Sequence, residues 1–331
     1  MTARPLDVVG IGNAIVDVLA QSDDAFLAAK GLAKGSMTLI EADAADRLYG
    51  AMSAGVECSG GSAANTMVGV ASLGGRAAFL GKIKNDQLGE VFAHDIRAVG
   101  VEFTTPPTTR GAGTARCLIL VTPDGQRTMA TYLGAAVEFS EADVVSGTIS
   151  SAAYVYMEGY LFDKPSAKAA FRKAVDLAHE SDGKVALTLS DSFCVDRHRD
   201  DFLALIDRGV DVLFANEAEI KALYRVKTFD EALQRVRGRD LIVALTRSEA
   251  GSVIVKGEEV HVVEATKVPR LVDTTGAGDL YAAGFLFGLA RGRSLAAAAR
   301  LGGLCAAEVI GHFGARPQTN LAKLAAGAGI A

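Results

Sequence analysis

The chain has 331 residues, of which 50% are apolar and 22% are charged. This length allows one large α/β domain or two smaller ones, and the composition excludes an intrinsically disordered protein. The formal net charge of −5 excludes a broad basic surface for nucleic acid or anionic lipid, so any phosphate group must be held locally.

Neither the N-terminal segment nor the cysteines indicate an exported or membrane protein. The residues after Arg4 and Pro5 form a short strand-like run and lack the longer apolar region of a signal peptide. Apolar runs such as residues 282–290 are far shorter than the roughly 20 residues of a membrane span. The four cysteines form no CxxC pair, which argues against a zinc site or a disulfide framework. We therefore expect a cytoplasmic protein.

Short apolar runs alternate with helical patterns along most of the chain. Strands are predicted at residues 7–11, 77–81, 154–157, 185–189, 210–215 and 241–246. Helices, with apolar residues at three-to-four spacing, are predicted at residues 62–73, 166–180, 202–207, 217–224, 230–237 and 280–290. The alternation predicts an α/β fold with a central, mostly parallel sheet flanked by helices.

Two segments, residues 18–41 and 103–136, interrupt this alternation with short β-like pieces. The second segment contains a hairpin pattern, in which residues 122–125 form a turn between two apolar runs. Small strands inserted into an α/β body predict a small β lid. No Pro/Gly/Ser linker divides the chain, so we expect a single domain over residues 1–331 that carries these lid segments.

Two glycine-rich turns in the first part of the chain could approach a ligand. Residues 10–12, Gly-Ile-Gly, could open a dinucleotide-binding motif of a dehydrogenase, but position 15 is not the glycine that this motif needs. No Walker A sequence is present, which disfavours a P-loop ATPase. Gly60 and Gly61 precede a predicted helix that contains Asn65, and the pattern fits either a tight turn or a ligand site.

Two predicted strands in the second half of the chain end at polar motifs. Asn216 follows one strand and Glu219 comes three residues later, which is also the spacing of a helix capping box. Thr246 ends the next strand, and the turn from there to Gly251 could be an ordinary connection between strands.

The most informative segment is residues 271–279, which has the pattern of a strand, a glycine turn and a helix start. Small residues at Gly276, Ala277 and Gly278 allow successive backbone N–H groups to face one anion beside a helix N-terminus. A carboxylate at Asp279 that accepts a hydroxyl proton would complete a minimal apparatus for phosphoryl transfer. The alternative is an acidic residue favoured in a first helical turn by the helix dipole alone.

The run Asp-Thr-Thr-Gly-Ala-Gly-Asp at residues 273–279 resembles the C-terminal signature of the ribokinase family of sugar and nucleoside kinases. Residues 60–65, Gly-Gly-Ser-Ala-Ala-Asn, resemble the N-terminal signature of the same family. The resemblance covers essentially the whole chain and implies a ribokinase-like fold and transfer of the γ-phosphoryl group of ATP to a hydroxyl. It places Asp279 at the catalytic base, Gly276, Ala277 and Gly278 at the anion hole, and Gly60, Gly61 and Asn65 against substrate hydroxyls.

The resemblance also implies residues that bind ATP and cations. Asn216 and Glu219 match an element that organises the phosphates and a water-bound Mg²⁺. Thr246 and Gly251 match a turn that contacts ATP, although Ser248 stands where the family has a glycine and leaves the backbone path there open. The resemblance further implies ATP binding by Thr275 and a K⁺ site at Asp273 and Thr275. It also implies that a lid arginine, Arg127, contacts the phosphates. The alternative for Arg127 is a solvated surface charge.

Within the family, residues 10–17 resemble the adenosine kinases, which have an Asn and an Asp at the spacing of Asn13 and Asp17. Asp17 would accept hydrogen bonds from the paired ribose hydroxyls. We therefore expect phosphorylation of the 5′-hydroxyl of adenosine to give AMP, with a ribokinase- or fructokinase-type sugar kinase as the alternative. A non-catalytic nucleotide-binding sensor is an alternative outside the kinases. Residues that would sandwich a purine, such as Tyr160 and Leu161, cannot be distinguished from core residues by pattern.

The expected partners are a small-molecule acceptor, either a nucleoside or a sugar, and ATP with Mg²⁺. No nucleic acid or membrane partner is expected. The lid strands could pair with a second subunit, so the sequence leaves both a monomer and a homodimer open.

Overall fold

The structure is a computed structural model that describes residues 4–330. Its strands are, in chain order, β1 (Leu6–Ile11), β2 (Ile15–Gln21), β3 (Met37–Leu39), β4 (Gly55–Gly60), β5 (Ala77–Leu80), β6 (Val101–Phe103), β7 (Ala115–Val121), β8 (Arg127–Tyr132), β9 (Ala152–Glu158), β10 (Lys184–Thr188), β11 (Val212–Asn216), β12 (Ile242–Thr246), β13 (Ser252–Lys256) and β14 (Glu259–Val263). Its α-helices are α1 (Asp24–Ala29), α2 (Ala42–Tyr49), α3 (Ser62–Ser72), α4 (Gln87–Ala98), α5 (Ser146–Ser150), α6 (Pro165–Glu180), α7 (Ser192–Gly209), α8 (Glu217–Tyr224), α9 (Phe229–Val236), α10 (Ala277–Ala290), α11 (Leu295–Val309) and α12 (Leu321–Gly327).

The larger sheet has nine strands in the order β14-β13-β12-β11-β10-β9-β1-β5-β6. Its strands run parallel from β6 to β12, whereas β13 is antiparallel to both of its neighbours. Helices cover both faces of such a sheet, which is why β1 is buried along its whole length and has a mostly apolar sequence. The predicted fold, a mostly parallel sheet flanked by helices, is confirmed.

Two apolar clusters fill the two faces of this sheet. Successive residues of a strand point to opposite faces, so Val8 belongs to one cluster and Val9 to the other. The cluster around Val8 includes side chains from α3 and α10. These two helices pack closely because Gly69 of α3 has no side chain where Leu280 and Ala283 of α10 approach. This close packing sets the N-terminus of α10 beside that of α3.

The smaller sheet has five strands in the order β3-β8-β7-β2-β4. Strand β2 pairs with β4 in the antiparallel direction and with β7 in the parallel direction, and β7 and β8 form the hairpin that the turn residues predicted. Strands from both predicted lid segments therefore lie in one sheet. The sheet also contains β4, which sequence patterns missed because its residues Gly-Val-Glu-Cys-Ser-Gly carry few apolar side chains.

The helix pattern found in residues 202–207 is only the second half of α7. This helix begins ten residues earlier, at Ser192, with Asp191 as its N-cap, and His198 has non-helical backbone angles that interrupt it. The first half carries few apolar residues, in the sequence Ser-Phe-Cys-Val-Asp-Arg-His-Arg-Asp-Asp, so its periodicity is weak. In the described residues, none of the helices combines the length and apolar character needed to cross a bilayer.

Candidate active site

Asp279 lies in the first turn of α10, directly after the glycine-rich turn. Gly276 is the N-cap residue, with a φ of 80°, and a Cβ at this position would lie 2.7 Å from the carbonyl oxygen of Ala315. Ala277 donates its backbone N–H to Thr274, whereas the backbone N–H groups of Gly278 and Asp279 donate to no backbone group within residues 4–330. The turn therefore presents N–H groups at the positive end of a helix dipole.

The Asp279 carboxylate accepts two hydrogen bonds from the first turn of α3. Ser62 Oγ donates to Oδ1 at 2.6 Å, and Asn65 Nδ2 donates to Oδ2 at 3.2 Å. Burial raises the pKa of Asp279 to about 6, and these two hydrogen bonds act in the opposite direction. Asn65, expected to contact substrate, thus contacts the predicted base. Ser62 lies within the N-terminal signature, but sequence reasoning gave it no role.

Asp17 lies in the middle of β2, between Cys58 of β4 and Cys117 of β7. A Cβ at Gly60 would clash with the Asp17 carboxylate, so glycine is required there for this close approach. Burial raises the pKa of Asp17 to about 6, Arg316 and Arg127 lower it, and the nearby Asp279 raises it. Because the charge of Asp279 acts on Asp17, and because Gly60 beside Asp17 lies two residues before the Ser62 that contacts Asp279, we expect the two carboxylates to border the same space.

Asn13 and the α3 N-terminus are joined by a buried carboxylate, Glu158. Glu158 Oε1 accepts from Asn13 Nδ2 at 2.8 Å and from the Asn13 backbone at 3.2 Å, and Oε2 accepts from Ala63 N at 2.8 Å. Burial raises the pKa of Glu158 to about 7, against the effect of these hydrogen bonds. The Asn13 Oδ1 atom is buried without a partner among the described residues. Gly61, the N-cap of α3, lies directly against the Asn13 carbonyl oxygen.

Sequence reasoning missed Glu158, although one signal could have found it. The residue ends β9, and an acidic side chain at the carboxyl end of a buried parallel strand lies where ligands bind in open α/β sheets.

Arg127, at the start of β8, is buried beside the glycine-rich turn. Its side chain is 8% exposed, and its Nε lies 3.1 Å from Asp273 Oδ2. The two groups form an ion pair, but the angles at these atoms do not allow a hydrogen bond. The guanidinium also lies 5.7 Å from the centre of the Phe313 ring. The Nη2 atom is buried with no hydrogen-bond partner among the described residues. These contacts exclude a solvated surface charge, the alternative interpretation of Arg127.

Asp273 and Thr275 hold each other in the turn before α10. Asp273 Oδ1 accepts from Thr275 N at 3.0 Å and from Thr275 Oγ1 at 2.6 Å, and Oδ2 accepts from Gly314 N at 3.1 Å. Burial acts to raise the pKa of Asp273, but these hydrogen bonds and the charge of Arg127 outweigh it and lower the pKa. Both carboxylate oxygens thus have protein partners, and the K⁺ site at these residues stays a prediction.

Asn216 and Glu219 form the capping box of α8. Asn216 Oδ1 accepts from Glu219 N at 2.9 Å, while Glu219 accepts from Asn216 N at 2.9 Å and from Asn216 Nδ2 at 2.6 Å. Burial raises the pKa of Glu219 to about 7, the Asn216 backbone N–H lowers it, and Asp191 raises it. Since both Glu219 oxygens already accept hydrogen bonds, a contact to Mg²⁺ would pass through water, as the resemblance implies.

Several carboxylates lie around Tyr160. Besides burial, Asp191, Asp279, Glu158 and Glu219 all act to raise the Tyr160 pKa, so four carboxylates share this neighbourhood. Within residues 4–330, no three His, Cys, Asp or Glu side chains converge closely enough to coordinate a metal directly. A Mg²⁺ ion at these residues would therefore be held mainly through its waters.

The turn from Thr246 to Gly251 follows a glycine-like path although it contains a serine. Ser248 has a φ of 50°, in the left-handed region, and Gly251 has a φ of 80°. Thr246 ends β12, opposite Ser252 of β13. The serine therefore preserves the turn at the cost of backbone strain, about 1 to 2 kcal/mol for a residue with a Cβ.

Two further residues of the site, Arg316 and Asp95, lie outside the sequence motifs. Arg316 Nε donates to Asn65 Oδ1 at 3.3 Å, and Arg316 Nη1 donates to Asp95 Oδ2 at 2.9 Å. Arg316 lies in the irregular stretch between α11 and α12, where periodicity carries no information. Asp95 lies on α4, which sequence patterns also missed.

Residues 31–321 match a family model described as pfkB family carbohydrate kinase. The crystal structure of an adenosine kinase from Sinorhizobium meliloti is similar, with a TM-score of 0.89 and 53% identity, and the match covers 98% of this chain and 99% of that one. A probable sugar kinase from Rhizobium etli CFN 42 gives a TM-score of 0.91 at 48% identity, covering 99% and 100%.

More distant sequences are divided between nucleoside and sugar substrates. The adenosine kinase of Saccharomyces cerevisiae is 26% identical over 330 residues, which cover 93% of this chain and 95% of the yeast protein. A 5-dehydro-2-deoxygluconokinase from Bacillus velezensis is 27% identical over 261 residues, covering 76% and 79%.

Proposed function

The chain belongs to the pfkB family of carbohydrate kinases and is an ATP-dependent kinase with a hydroxyl acceptor, and from this we propose that its acceptor is the 5′-hydroxyl of a nucleoside. Adenosine, giving AMP, is the preferred substrate. The observation that carries this proposal is the Asp17 carboxylate, which lies against Gly60, two residues before the Ser62 that contacts Asp279, and accepts no hydrogen bond within residues 4–330. A half-buried carboxylate without a donor suits a pair of neighbouring hydroxyls, as on a ribose ring.

The acceptor would lie between the smaller sheet and the N-terminus of α3. Asp17 and Asn13 would bind the ribose hydroxyls, with the free Asn13 Oδ1 as a further acceptor. Gly60 and Gly61 bring the backbone close to both residues. Asn65 contributes through its hydrogen bond to the base. The similarity to the Sinorhizobium meliloti adenosine kinase supports a nucleoside in this position.

The reaction needs one proton acceptor and one site for negative charge. Asp279 would take the proton of the acceptor hydroxyl as that oxygen forms a bond to the γ-phosphorus and the bond to the β-phosphate oxygen breaks, releasing ADP. The N–H groups of the turn at residues 276–279 and the Arg127 guanidinium would stabilise charge on the transferring group. Because N–H of Ala277 donates to Thr274, the Gly278 and Asp279 N–H groups are the better placed donors.

ATP would bind along the carboxyl ends of β11 and β12. Asn216, Glu219, Thr246, Gly251 and Thr275 are the proposed contacts. When bound, Mg²⁺ supplies neutralisation of the phosphate charge. Glu219 would hold one of its waters, and a K⁺ ion beside Asp273 and Thr275 is proposed from family resemblance alone. Omitting K⁺ from the assay tests that last point.

A ribose- or fructose-type sugar kinase is the second candidate, favoured by the similarity to the Rhizobium etli probable sugar kinase. The deciding experiment is a panel of adenosine, other nucleosides, ribose and fructose with Mg²⁺ and ATP, scored by ADP release. We expect kcat/KM for adenosine to exceed that for each sugar at least about 100-fold, because a site built for a purine gains its binding energy from contacts that a sugar lacks. Efficient turnover of fructose without turnover of adenosine would contradict the nucleoside proposal.

A further inference from the structure

Arg316 contacts the predicted base indirectly, through one amide group. Its Nε donates to Asn65 Oδ1 at 3.3 Å, and the other end of the same amide, Asn65 Nδ2, donates to Asp279 Oδ2 at 3.2 Å. Arg316 is itself held from the opposite side by Asp95 Oδ2 at 2.9 Å, and this carboxylate also accepts from Ser59 N at 2.8 Å. The groups form a chain from α4 through Arg316 and α3 to α10.

We propose that Arg316 is a positioning residue, which fixes the orientation of the Asn65 amide and so keeps the Asp279 carboxylate competent to accept a proton. The role of Asp279 as the base comes from the proposed function, and this inference rests on it.

The donor and acceptor atoms of the three groups decide how the Asn65 amide is oriented. A guanidinium has only donors, so the Asn65 atom that faces Arg316 must be the oxygen. The amide nitrogen is then directed to Asp279, where its N–H favours the ionised carboxylate. Without Arg316, the amide could rotate and present its oxygen to Asp279, and a carbonyl oxygen can pair only with the protonated acid.

Asn65 is the side chain through which this effect must act. Ser62 donates to Asp279 Oδ1, and Asn65 is the hydrogen-bond donor to Oδ2 within the described residues. The other titratable groups that face Asp279 are Asp17, Glu158, Tyr156 and Tyr160. Arg316 also faces Asp17 and Cys58, and Arg127 faces Asp17. The two arginines therefore influence the acceptor side by charge, and Arg316 influences Asp279 by hydrogen bonding.

The first test is a carboxyl ¹³C NMR titration of the whole protein without substrate, with the Asp279 signal assigned by its loss in Asp279→Asn. In Arg316→Met, we expect the Asp279 midpoint to rise by about one pH unit, since one hydrogen bond to the charged form is lost. Arg316→Lys should recover at least about half of the shift, because an ammonium group also has only donors. Arg291→Met is the matched control: Arg291 follows the far end of α10 and pairs with Asp7 at 2.9 Å. In Arg291→Met, the titration midpoint of Asp279 should equal that of the wild type.

A double-mutant cycle separates positioning from general structural support. In an Asn65→Ala background, Arg316→Met should leave the Asp279 midpoint unchanged, because the amide that transmits the effect is gone. In kinetics, the acidic limb of kcat for Arg316→Met should move up by the same amount, with KM for ATP within about twofold. Thermal melts establish that each variant is folded.

An unchanged Asp279 midpoint in folded Arg316→Met would overturn the proposal, as would a shift of the same size in the Asn65→Ala background. The titration requires no acceptor substrate. If the protein phosphorylated neither nucleosides nor sugars, the proposed function would fail while the titration still decided the role of Arg316 in orienting Asn65.

Discussion

Asp279 and Asp17 are two carboxylates that the fold keeps close together and partly out of water. Each acts to raise the pKa of its neighbours, and Arg316 and Arg127 offset this repulsion at Asp17. A nucleoside placed between them would meet one carboxylate that binds its paired ribose hydroxyls and one that removes the proton of its 5′-hydroxyl. Their different partners support this division, since Asp279 accepts two hydrogen bonds, whereas Asp17 accepts none within residues 4–330 and has the charges of Arg316 and Arg127 nearby.

The substitution Asp279→Asn should abolish turnover and leave ATP binding nearly intact, because the base acts on the acceptor. We expect kcat to fall at least about 100-fold, the usual contribution of a general base. Measurement of kcat by ADP release and of ATP affinity by calorimetry would check this. A folded variant that keeps more than about a tenth of the wild-type kcat would remove Asp279 from the role of base.

The pH dependence of the reaction should show the titration of Asp279. A base must be ionised to accept a proton, and its pKa is raised to about 6. We therefore expect kcat/KM to rise as the pH increases through about 6 and to level off above it. A rate that stays constant between pH 5 and pH 8 would count against a base with this pKa.

The substitution Asp17→Ala tests the nucleoside proposal at a single side chain. Loss of the carboxylate should weaken adenosine binding at least about tenfold, because the ribose hydroxyls lose a charged acceptor, and ATP affinity should change less than about twofold. Calorimetry with each ligand measures both. Unchanged adenosine affinity in a folded variant would contradict the proposed contact.

Individual residues could be predicted from the sequence only where they fall in a recognisable motif. Asn13, Asp17 and Asp279 were marked by spacing. Glu158 and Arg316 were not, because their function depends on which side chains the fold brings beside them. No local pattern specifies that Arg316 meets Asn65, a residue 251 positions earlier.

At the level of elements, the smaller sheet combines strands from both predicted lid segments with β4. We propose that it acts as a lid that closes over the acceptor and excludes water before phosphoryl transfer. Arg127 of β8 already lies against Asp273 and Phe313, so closure would keep this guanidinium beside the phosphates.

Hydrogen exchange tests the lid directly. Adenosine with a non-hydrolysable ATP analogue should slow exchange in β2, β7 and β8, while β9 to β11 change little. Unchanged protection of the smaller sheet would argue against closure.

Two lid arginines provide a matched comparison for the role of Arg127. Arg127→Ala should lower kcat at least about tenfold, since it removes a charge beside the transferring group. Arg116→Ala should have little effect on kcat, because Arg116 pairs with Asp46 and lies 5.9 Å from the ring centres of both Tyr49 and Tyr132. Equal kcat values for the two variants would show that Arg127 is not a phosphate ligand.

The turn after β12 gives a prediction about stability. Ser248→Gly should raise the free energy of unfolding by up to about 1 kcal/mol, because glycine adopts a φ of 50° without a Cβ clash. Urea unfolding measures the change, and Ser248→Ala, which keeps the Cβ, should show no gain. A destabilised glycine variant would mean that the serine hydroxyl has a role in the turn.

Elements were predictable where apolar periodicity is strong, as in β1, α3 and α8. The missed elements lack that signal for identifiable reasons. Strand β4 has few apolar residues, and the first half of α7, from Ser192 to Asp201, is mostly polar. The pairing of β2 with β4 and β7 depends on tertiary structure, so it cannot be predicted from the positions of short apolar runs.

For the whole molecule, the site places a set of carboxylates where water is largely excluded. Burial raises the pKa of Glu158 and Glu219 to about 7, well above the value of an exposed glutamate. The protonated forms are thus favoured by the native state. This contribution to stability is fully present below the unfolded-state pKa, near 4.5, and is lost as the pH rises through 7.

The protein without ligands should accordingly be more stable near pH 5.5 than near pH 8. Each unit of raised pKa corresponds to about 1.4 kcal/mol. Urea unfolding at the two pH values measures the difference, and Asp279→Asn, which removes one such carboxylate, should reduce it. Asp176→Asn, an exposed residue paired with Arg208, is the control and should leave it unchanged. Greater stability at pH 8 would contradict the inferred burial.

The α/β architecture and the position of the glycine-rich turn were accessible from sequence because both arise from short-range patterns. The arrangement of the site was not, since Asp279 meets Ser62 and Asn65 across 217 and 214 positions of the chain. Only the packing of α10 on α3 brings these residues together.

Because of this separation, phosphoryl transfer needs residues from two parts of the chain that are far apart in sequence. If the chain were divided at the exposed turn around Gly257, one fragment would carry Asp17, Ser62 and Asn65, and the other Asp279 and Arg316. Neither fragment alone could form the hydrogen bonds around the base. Enzymatic activity would return only upon reassociation of the halves, so this fold contains the elements of a complementation reporter whose signal is the release of ADP.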